Sequence, residues 1–386
     1  MGWFVSALGF AISIPFIAIY FHASLGMSMS QIGLFFGTLA VVRAVFQALG
    51  GEASDRIERN ILLIYSQFFR AGAFLFLAAA IYSDWGFWAV SAAMLVNSIF
   101  GAVVQPVANA MVSDILPVEK RLDGYAITRS AGNLGWAVGP AIGGFFAGYS
   151  YGLLFLISSG ITLLSAFVFL MFLKPPAAAR ATDRFKFSDL IAVRKDSNLA
   201  RHSLLIFALY LVVAQLIAPF SVYAVEMADI SEHQLGILYT INGLMVVLLQ
   251  IPVTRFLSGC RLTVQLAMGA FVYAVGYSLV GILPGFWYFV LAMIVVTSGE
   301  MFMSPPSLAL TSRLAPDGRM GRYMGIFGFF VAAGWSFGPL YGGVILDHFG
   351  QSPPLAWIMI SSLAVLSGLG YLMFTRRLPQ RFNTRS

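Results

Sequence analysis

The chain has 386 residues, of which 59% are hydrophobic and only 10% are charged, and its mean hydropathy is +0.84. Soluble globular proteins do not carry this balance, so the composition excludes that class and indicates an integral membrane protein. The net charge of +7 does not indicate nucleic-acid binding, because the basic residues gather in alternate loops, as membrane topology requires.

Twelve apolar segments follow one another along the chain, each about 20 to 25 residues long and able to cross a hydrocarbon core roughly 30 Å thick. They cover residues 3–21, 31–50, 61–82, 87–112, 124–148, 152–173, 203–224, 234–256, 263–283, 286–311, 323–346 and 354–374. We therefore predict an all-α membrane protein with twelve transmembrane helices.

Lys and Arg residues occupy one alternate set of loops, the central connection and the C-terminal end. The opposite loops contain none, and one of them carries Glu226, Asp229 and Glu232. By the positive-inside rule, this predicts that both termini and the central connection are cytoplasmic. Nothing basic precedes the first apolar segment, so we predict no cleavable signal peptide. The expected location is the cell membrane, with a multi-pass topology of the bacterial inner-membrane type.

A ten-residue pattern occurs twice, as G-W-A-V-G-P-A-I-G-G at residues 135–144 and as G-W-S-F-G-P-L-Y-G-G at residues 334–343. The two copies lie 334 − 135 = 199 residues apart, and Pro106 and Pro305 have the same separation. A repeat of this length in apolar sequence indicates two copies of one membrane bundle, an architecture found in transporters.

The longest polar stretch, residues 174–201, divides the twelve segments into six and six. We predict an N-terminal six-helix bundle at 1–173, a cytoplasmic linker at 174–201, a C-terminal six-helix bundle at 202–374 and a basic cytoplasmic tail at 375–386. We expect the protein to be monomeric in the lipid bilayer.

Two motifs carry a family resemblance. The turn after the second segment reads G-E-A-S-D-R-I-E-R-N at residues 51–60, and the fifth segment contains G-x-x-x-G-P-x-x-G-G. Together they resemble the major facilitator superfamily, in particular its twelve-helix drug:proton antiporter branch. The chain departs from the family pattern at Glu58 and Asn60, and Asn97 stands where the family has an arginine in the fourth segment. The resemblance implies the major facilitator fold and proton-coupled export of hydrophobic or amphipathic small molecules by alternating access.

The same resemblance implies a conformational gate, in which loop contacts latch the cytoplasmic side shut in the outward-facing state. Closely spaced glycines let helices approach one another, and proline bends a helix. The alternative is that these residues only pack helices and hold the topology. The predicted gate residues are Gly51, Asp55, Arg56, Arg59, Asp114, Gly135, Gly139, Pro140, Gly143, Gly144, Gly338 and Pro339.

Glu300 is the one acidic residue that lies deep in a predicted span. It follows Trp287 by 300 − 287 = 13 residues, roughly 20 Å of helix, which places it near the midplane. A carboxylate there is costly when ionised, so it takes up a proton, finds a cation or faces a water-filled cavity. We predict that Glu300 couples transport to protons; the alternative is a structural glutamate in a helix seam.

Three arginines also lie inside predicted spans: Arg43, Arg70 and Arg129. Arg43 approaches the depth of Glu300, so it either pairs with that carboxylate or contacts an anionic substrate; Arg70 is interpreted as structural. Bulky apolar walls with few polar groups suit a hydrophobic, amphipathic ligand. The predicted substrate and charge-partner residues are Arg43, Asn97, Gln105, Asn109, Tyr210, Gln215 and Tyr223.

Other functions on the same fold are uptake of a nutrient or organic anion, or lipid translocation, with Arg43 as the anion contact. An enzyme is disfavoured because one deep carboxylate has no second acid, nucleophile or metal set beside it. A receptor-like sensor would not need alternating access. No nucleotide or metal motif occurs, so we expect no cofactor, no metal and no nucleic acid, with a small molecule and protons as partners.

Overall fold

A computed structural model describes residues 1–53, 57–117, 120–173, 196–282, 284–316 and 320–383. Within these ranges every regular element is a helix, which confirms the predicted all-α class. The α-helices are α1 (Gly2–Ala11), α2 (Ile14–Ala23), α3 (Met29–Ala53), α4 (Arg59–Tyr82), α5 (Gly86–Ile115), α6 (Arg121–Ala147), α7 (Tyr151–Phe172), α8 (Ser197–Val213), α9 (Pro219–Glu226), α10 (Glu232–Phe256), α11 (Leu262–Val280), α12 (Phe286–Leu314), α13 (Met320–Phe349), α14 (Pro353–Arg377) and α15 (Gln380–Asn383).

Eleven stretches among the described residues are long and apolar enough to cross a membrane. The predicted segment at 124–148 forms helix α6 but is not one of the eleven. Its many glycines and Asn133 make it less apolar than the other helices. The total of twelve spans and the cytoplasmic position of the termini therefore stay predictions.

Proline interrupts two segments that the sequence predicts as single helices. The first is broken between α1 and α2, where Pro15 lies in the first turn of α2. The seventh is broken by a 3-10 turn, Ala214–Leu216, before Pro219 begins α9. Proline has no N–H and its ring clashes with the preceding turn, so the helix cannot run through unchanged. At the first break the Ser13 hydroxyl donates to the Phe10 carbonyl at 2.9 Å.

The chain divides into two compact units. In the first, α4 packs against α5 and α7, while α1 packs against α6 and α7. Serine hydroxyls of α7 reach neighbouring backbones: Ser159 donates to the Ala71 carbonyl at 2.8 Å and Ser165 to the Gly2 carbonyl at 3.0 Å. The first unit comprises Met1–Met27, Thr38–Thr182 and Ser221–Gly243.

The second unit repeats this packing one sequence repeat later. Helix α11 packs against α12 and α14, while α8 packs against α13 and α14. The rings of Tyr273, Tyr277 and Trp357 stack in series with centroids 6.0 and 5.9 Å apart, and all three are fully buried. The second unit comprises Ser28–Gly37, Asp183–Phe220 and Leu244–Ser386.

A buried histidine joins several helices of the second unit. His202 of α8 is fully buried, and its Nε2 lies 3.2 Å from the Ser307 carbonyl and 3.0 Å from the Thr311 hydroxyl of α12. Its Nδ1 lies 3.0 Å from the Tyr371 hydroxyl of α14. The ring also stacks on Phe327 of α13, with centroids 5.6 Å apart. One side chain therefore links four helices through polar and ring contacts.

Each unit also contains the first turns of a helix that belongs to the other sequence repeat. We call these two segments the exchanged helix starts. Residues 28–37, which include the first turns of α3, belong to the second unit. Residues 221–243, which include the first turns of α10, belong to the first unit. The compact units are therefore not the two halves of the sequence repeat.

Candidate functional site

A cavity of about 410 Å³ lies in the first unit, between α1, α5 and α6. Its volume falls in the range of small-molecule pockets. The walls combine two indole rings with three side-chain amides and a hydroxyl, and the Gln105 amide donates to Asn109 Oδ1 at 3.2 Å. Such a surface fits an amphipathic ligand. The lining residues are Trp3, Ala7, Gln105, Asn109, Thr128, Gly132, Asn133 and Trp136.

Gln105 and Asn109 were predicted as substrate contacts, and they lie together in this cavity. The prediction missed Trp3 and Ala7, which face them from α1. A signal for the site was available, since its positions recur every four residues, the spacing of one helix face. The repeated spacings are 3 and 7 on α1, 105 and 109 on α5, and 128, 132 and 136 on α6.

Two arginines lie beside the wall of the cavity. The Cζ atoms of Arg43 and Arg70 are 5.7 and 5.5 Å from the centroid of the Phe10 ring. That ring meets the indole of Trp136 edge to face, with centroids 5.9 Å apart. Phe10 therefore links the cavity wall at Trp136 to two cations that lie within cation–π range of its ring.

Arg70 is buried, with 4% of its surface exposed, and it bonds to side chains of α1, of α5 and of its own helix α4. Its Nε donates to Asn97 Oδ1 at 3.4 Å, and its Nη1 donates to the Ser6 hydroxyl at 3.1 Å and to Gln67 Oε1 at 3.2 Å. A Cβ built on Gly101 of α5 would lie 3.5 Å from Nε of Arg70. Asn97, predicted as a substrate contact, thus holds the guanidinium of Arg70.

Glu300 lies at the midpoint of α12, 300 − 286 = 14 residues from its first residue and 314 − 300 = 14 from its last. It is half-buried. The preceding residue, Gly299, packs so closely on α11 that a Cβ there would lie 2.9 Å from the ring of Tyr273. The Tyr273 hydroxyl is buried and has no hydrogen-bond partner among the described residues. The suggested pairing of Glu300 with Arg43 stays a prediction.

Three further predicted contacts lie on the broken seventh segment. Tyr210 of α8 lies 6.0 Å from Trp335 of α13, ring to ring, and Tyr223 of α9 is buried. Gln215 is fully buried; its Nε2 donates to the Gly338 carbonyl at 2.8 Å and to a carbonyl one turn earlier in α8 at 2.6 Å. Gln215 thus links the helix break to α13 through hydrogen bonds.

The repeated glycine motif brings α1 against α6 in the first unit, and α8 with its following 3-10 turn against α13 in the second. In the first unit a Cβ on Gly135 or Gly139 would lie 2.9 or 2.6 Å from an alanine Cβ of α1. A Cβ on Gly143 would collide with the Ile12 carbonyl. In the second unit the corresponding neighbours are Tyr210 for Gly334, Ala214 for Gly338 and Gln215 for Gly342. The motif therefore marks a close helix approach in both units.

The prolines of the motif face the exchanged helix starts. A Cβ on Gly236 of α10 would lie 2.6 Å from the Pro140 carbonyl in the first unit. A Cβ on Gly33 of α3 would lie 2.5 Å from the Pro339 carbonyl in the second. Small residues permit such close backbone contact between helices. Gly144 likewise contacts α10, while Gly343 contacts the start of α3.

Both exchanged helices begin with a reciprocal capping box. The Ser28 N–H donates to Gln31 Oε1 at 2.9 Å, and the Gln31 N–H donates to the Ser28 hydroxyl at 3.3 Å. Ser231 and Gln234 form the same pair of bonds at 3.0 and 3.2 Å. The boxes are 231 − 28 = 203 residues apart, so this local structure also follows the sequence repeat.

A side chain of a neighbouring helix forms a hydrogen-bonding contact with each of these helix starts. This closing contact differs between the units. In the second unit the Asp347 carboxylate accepts hydrogen bonds from the backbone N–H groups of Met29 and Ser30, both at 2.8 Å. In the first unit the Tyr151 hydroxyl donates to Glu232 Oε1 at 3.1 Å. The sequence repeat gave no signal for either contact, because neither is duplicated.

The loop part of the predicted gate is only partly described. Arg59 begins α4, and its Nη1 donates to the Ala110 carbonyl of α5 at 3.2 Å. The latch therefore stays a prediction. The remaining loop members, Gly51, Asp55, Arg56 and Asp114, lie outside the described residues and side chains.

Comparison with known proteins gives a consistent family. A family model described as the Major Facilitator Superfamily matches residues 1–228 and 203–386. YttB of Bacillus subtilis, an uncharacterised transporter of that type, is 28% identical over 96% of this chain and 93% of its own length. A Na⁺, Li⁺, K⁺/H⁺ antiporter of Planococcus maritimus is 24% identical over 96% and 93%. The quinolone resistance protein NorA of Staphylococcus aureus is 21% identical over 94% and 92%.

Solved structures share the fold at low sequence identity. The peptide transporter POT in complex with sulfate superposes with a TM-score of 0.80 at 15% identity, covering 98% of this chain and 94% of that one. The nucleoside transporter NupG gives a TM-score of 0.80 at 14% identity, with 97% of each chain covered. These likenesses concern the fold alone.

Proposed function

Because the chain belongs to the major facilitator superfamily, we propose that it exports hydrophobic or amphipathic small molecules across the cell membrane in exchange for protons. Membership makes the protein a multi-span membrane transporter and not an enzyme. The direction, the coupling ion and the substrate class are the proposed part. The proposal retains the organisation predicted from the repeat, with a cytoplasmic linker at 174–201.

The observation that carries proton coupling is the position of Glu300 at the midpoint of a 29-residue helix. At that depth the protonated form of a carboxyl group is favoured, since ionisation inside the membrane is costly. A proton entering from outside would neutralise Glu300 and weaken substrate binding. Its release inside would then reset the cycle.

The substrate class is supported by the walls of the first-unit cavity. Two indoles present broad apolar surfaces, while a few amides supply hydrogen bonds. A sugar or other highly hydroxylated ligand needs more polar partners than this surface offers. The names of NorA, a quinolone resistance protein, and of the P. maritimus cation/H⁺ antiporter are compatible with efflux and proton exchange.

The test uses the full-length protein in proteoliposomes with an imposed pH gradient, and measures transport of a panel of dyes, antibiotics and organic anions. We expect the wild-type protein to move at least one amphipathic compound against its gradient. Glu300→Gln should still exchange that compound but lose the drive from the pH gradient. Glu226→Gln, which changes an exposed glutamate, is the matched control. Proton-driven transport that survives Glu300→Gln contradicts the mechanism.

A second candidate, movement of an organic anion, is favoured by the two arginines beside Phe10. It predicts that Arg43→Ala abolishes binding, while Glu300→Gln changes only coupling. The same panel separates the two candidates, because anions would then be transported in preference to cationic dyes.

A further inference from the structure

The region around Phe10 contains more hydrogen-bond donors than acceptors. Arg70 presents five N–H groups, and its three described bonds use only those of Nε and Nη1. The amide nitrogens of its own acceptors, Asn97 Nδ2 and Gln67 Nε2, are buried without a hydrogen-bond partner among the described residues. A buried donor without an acceptor is expensive, so the cluster lacks an acceptor.

The same cluster has an excess of positive charge. Arg43 and Arg70 both lie within 6 Å of the Phe10 centroid. Among the residues that the structure describes, neither forms an ion pair with a carboxylate. Charged side chains within a membrane normally pair or face a water-filled cavity. Two cations on one ring, with unpaired amide donors beside them, form a built site for a negative charge.

The cluster adjoins the cavity wall at Trp136. Arg70 is buried, but Arg43 is only half-buried. Trp136 lines the cavity and packs on Phe10, whose ring contacts both guanidinium groups. A ligand with an aromatic body against the indoles would therefore have its head group close to the arginines.

We propose that Arg43 and Arg70, with the amides of Asn97 and Gln67, form an anion subsite beside the first-unit cavity. The subsite takes the sulfonate, carboxylate or phosphate group of an amphipathic organic anion. This rests on the proposed function only in that the anion belongs to the transported molecule; binding itself needs neither a proton gradient nor transport. The same anionic chemistry is present in a lipid headgroup, which the experiment below distinguishes.

The test compares two probes that share one ring system and differ in charge: naphthalene-2-sulfonate and the neutral naphthalene-2-sulfonamide. Binding to the full-length protein in phosphatidylcholine nanodiscs is measured by equilibrium dialysis without a pH gradient, with empty nanodiscs subtracted. We expect the sulfonate to bind at least about tenfold more tightly, as charge-assisted hydrogen bonds predict.

Substitutions assign the preference to the two arginines. Arg43→Gln and Arg70→Gln should each weaken sulfonate binding about tenfold and change sulfonamide binding less than about twofold. Arg376→Gln removes a positive charge from the exposed end of α14 and should change neither. Each variant is used only if its size-exclusion profile matches the wild type. If Arg70→Gln does not fold, Arg43→Gln carries the test, because that side chain is only half-buried.

Equal binding of the two probes by the wild type would overturn the proposal, and so would a charge preference that survives both arginine substitutions. Nanodiscs with added phosphatidylglycerol identify the source of the anion. Weaker sulfonate binding there, in the wild type but not in Arg43→Gln, makes a lipid headgroup the occupant of the same site. Unchanged binding makes it a soluble organic anion.

Glu300→Gln, measured both in this dialysis assay and in the proteoliposome transport assay, separates this proposal from proton coupling. A retained charge preference together with unaltered proton-driven transport would leave the subsite standing and remove the coupling role of Glu300. Loss of the preference only in the arginine variants, with coupling lost only in Glu300→Gln, supports both.

Discussion

The two units use the same helix pairs but fill them with different polar side chains. In the first, the side chain of α4 that lies against Gly101 of α5 is Arg70; in the second, the side chain of α11 that lies against Gly299 of α12 is Tyr273. Glycines at the motif positions are common to both. Duplication has therefore kept the residues that set helix distances, while the residues that bring charge have diverged.

The polar cores differ in the same way. The first unit places the buried Arg70 and the half-buried Arg43 near amide donors without a partner among the described residues, whereas the second buries His202 with a partner at each ring nitrogen. The cluster around Arg70 lacks an acceptor, whereas the cluster around His202 has a partner for each ring nitrogen. We therefore expect substitutions in the second core to affect stability and those in the first to affect binding.

His202→Leu tests this difference with the largest expected effect. It removes contacts to Thr311, Ser307 and Tyr371 from a fully buried position, and should lower the free energy of unfolding by about 3 kcal/mol. The measurement is an unfolding titration in mixed detergent micelles. His348→Leu, at an exposed position, is the control, and an equal effect of the two would contradict the structural role.

The glycine motif offers a comparison at equivalent positions. A Cβ on Gly143 would meet the backbone carbonyl of Ile12, whereas one on Gly342 would meet the end of the Gln215 side chain, which can be displaced without moving the backbone but at the loss of its hydrogen bonds. Gly143→Ala should therefore cost about 2 kcal/mol, as overpacking does, and Gly342→Ala about half as much.

Gly72→Ala and Gly328→Ala serve as controls for these two variants, because no atom lies within 4 Å of a Cβ at either site. Thermal midpoints of the purified variants rank the four. If Gly342→Ala proves more damaging than Gly143→Ala, backbone contact is not what distinguishes the units.

The charged closing contact of the second unit should matter less. Asp347→Asn keeps the shape but removes the charge that faces two N–H groups at the start of α3, at a cost of about 1 kcal/mol. Asp229→Asn is a suitable control, since Asp229 is exposed and has a positive φ of 56° that asparagine also tolerates. Equal thermal midpoints for wild type and Asp347→Asn would show that the cap contributes nothing.

The smallest effect is expected at the closing contact of the first unit. Tyr151→Phe removes one hydrogen bond to Glu232 and should cost about 0.5 kcal/mol. Tyr149→Phe, on an exposed neighbour, gives the baseline for losing a tyrosine hydroxyl. A cost above that of Asp347→Asn would reverse the order of the two contacts.

Features that repeat in the sequence were predictable, whereas of those that occur once Gln105 and Asn109 of the cavity were predicted and the residues facing them from α1 were not. Apolar length located the helices, and the glycine–proline pattern located close packing, because small residues let helices approach closely. The breaks at Pro15 and Pro219 could have been predicted from the missing N–H. The arginines beside Phe10 could not, because a side chain of α4 reaches across to α1 and α5, and no local pattern encodes that reach.

The exchanged helix starts have a consequence for how the chain can be divided. A break within residues 174–195 would leave one fragment without residues 221–243 of its unit and the other without residues 28–37. Neither fragment would be self-sufficient, although each carries a full sequence repeat. We therefore expect split halves to recover the folded protein by complementation when co-expressed, and to be degraded when made singly.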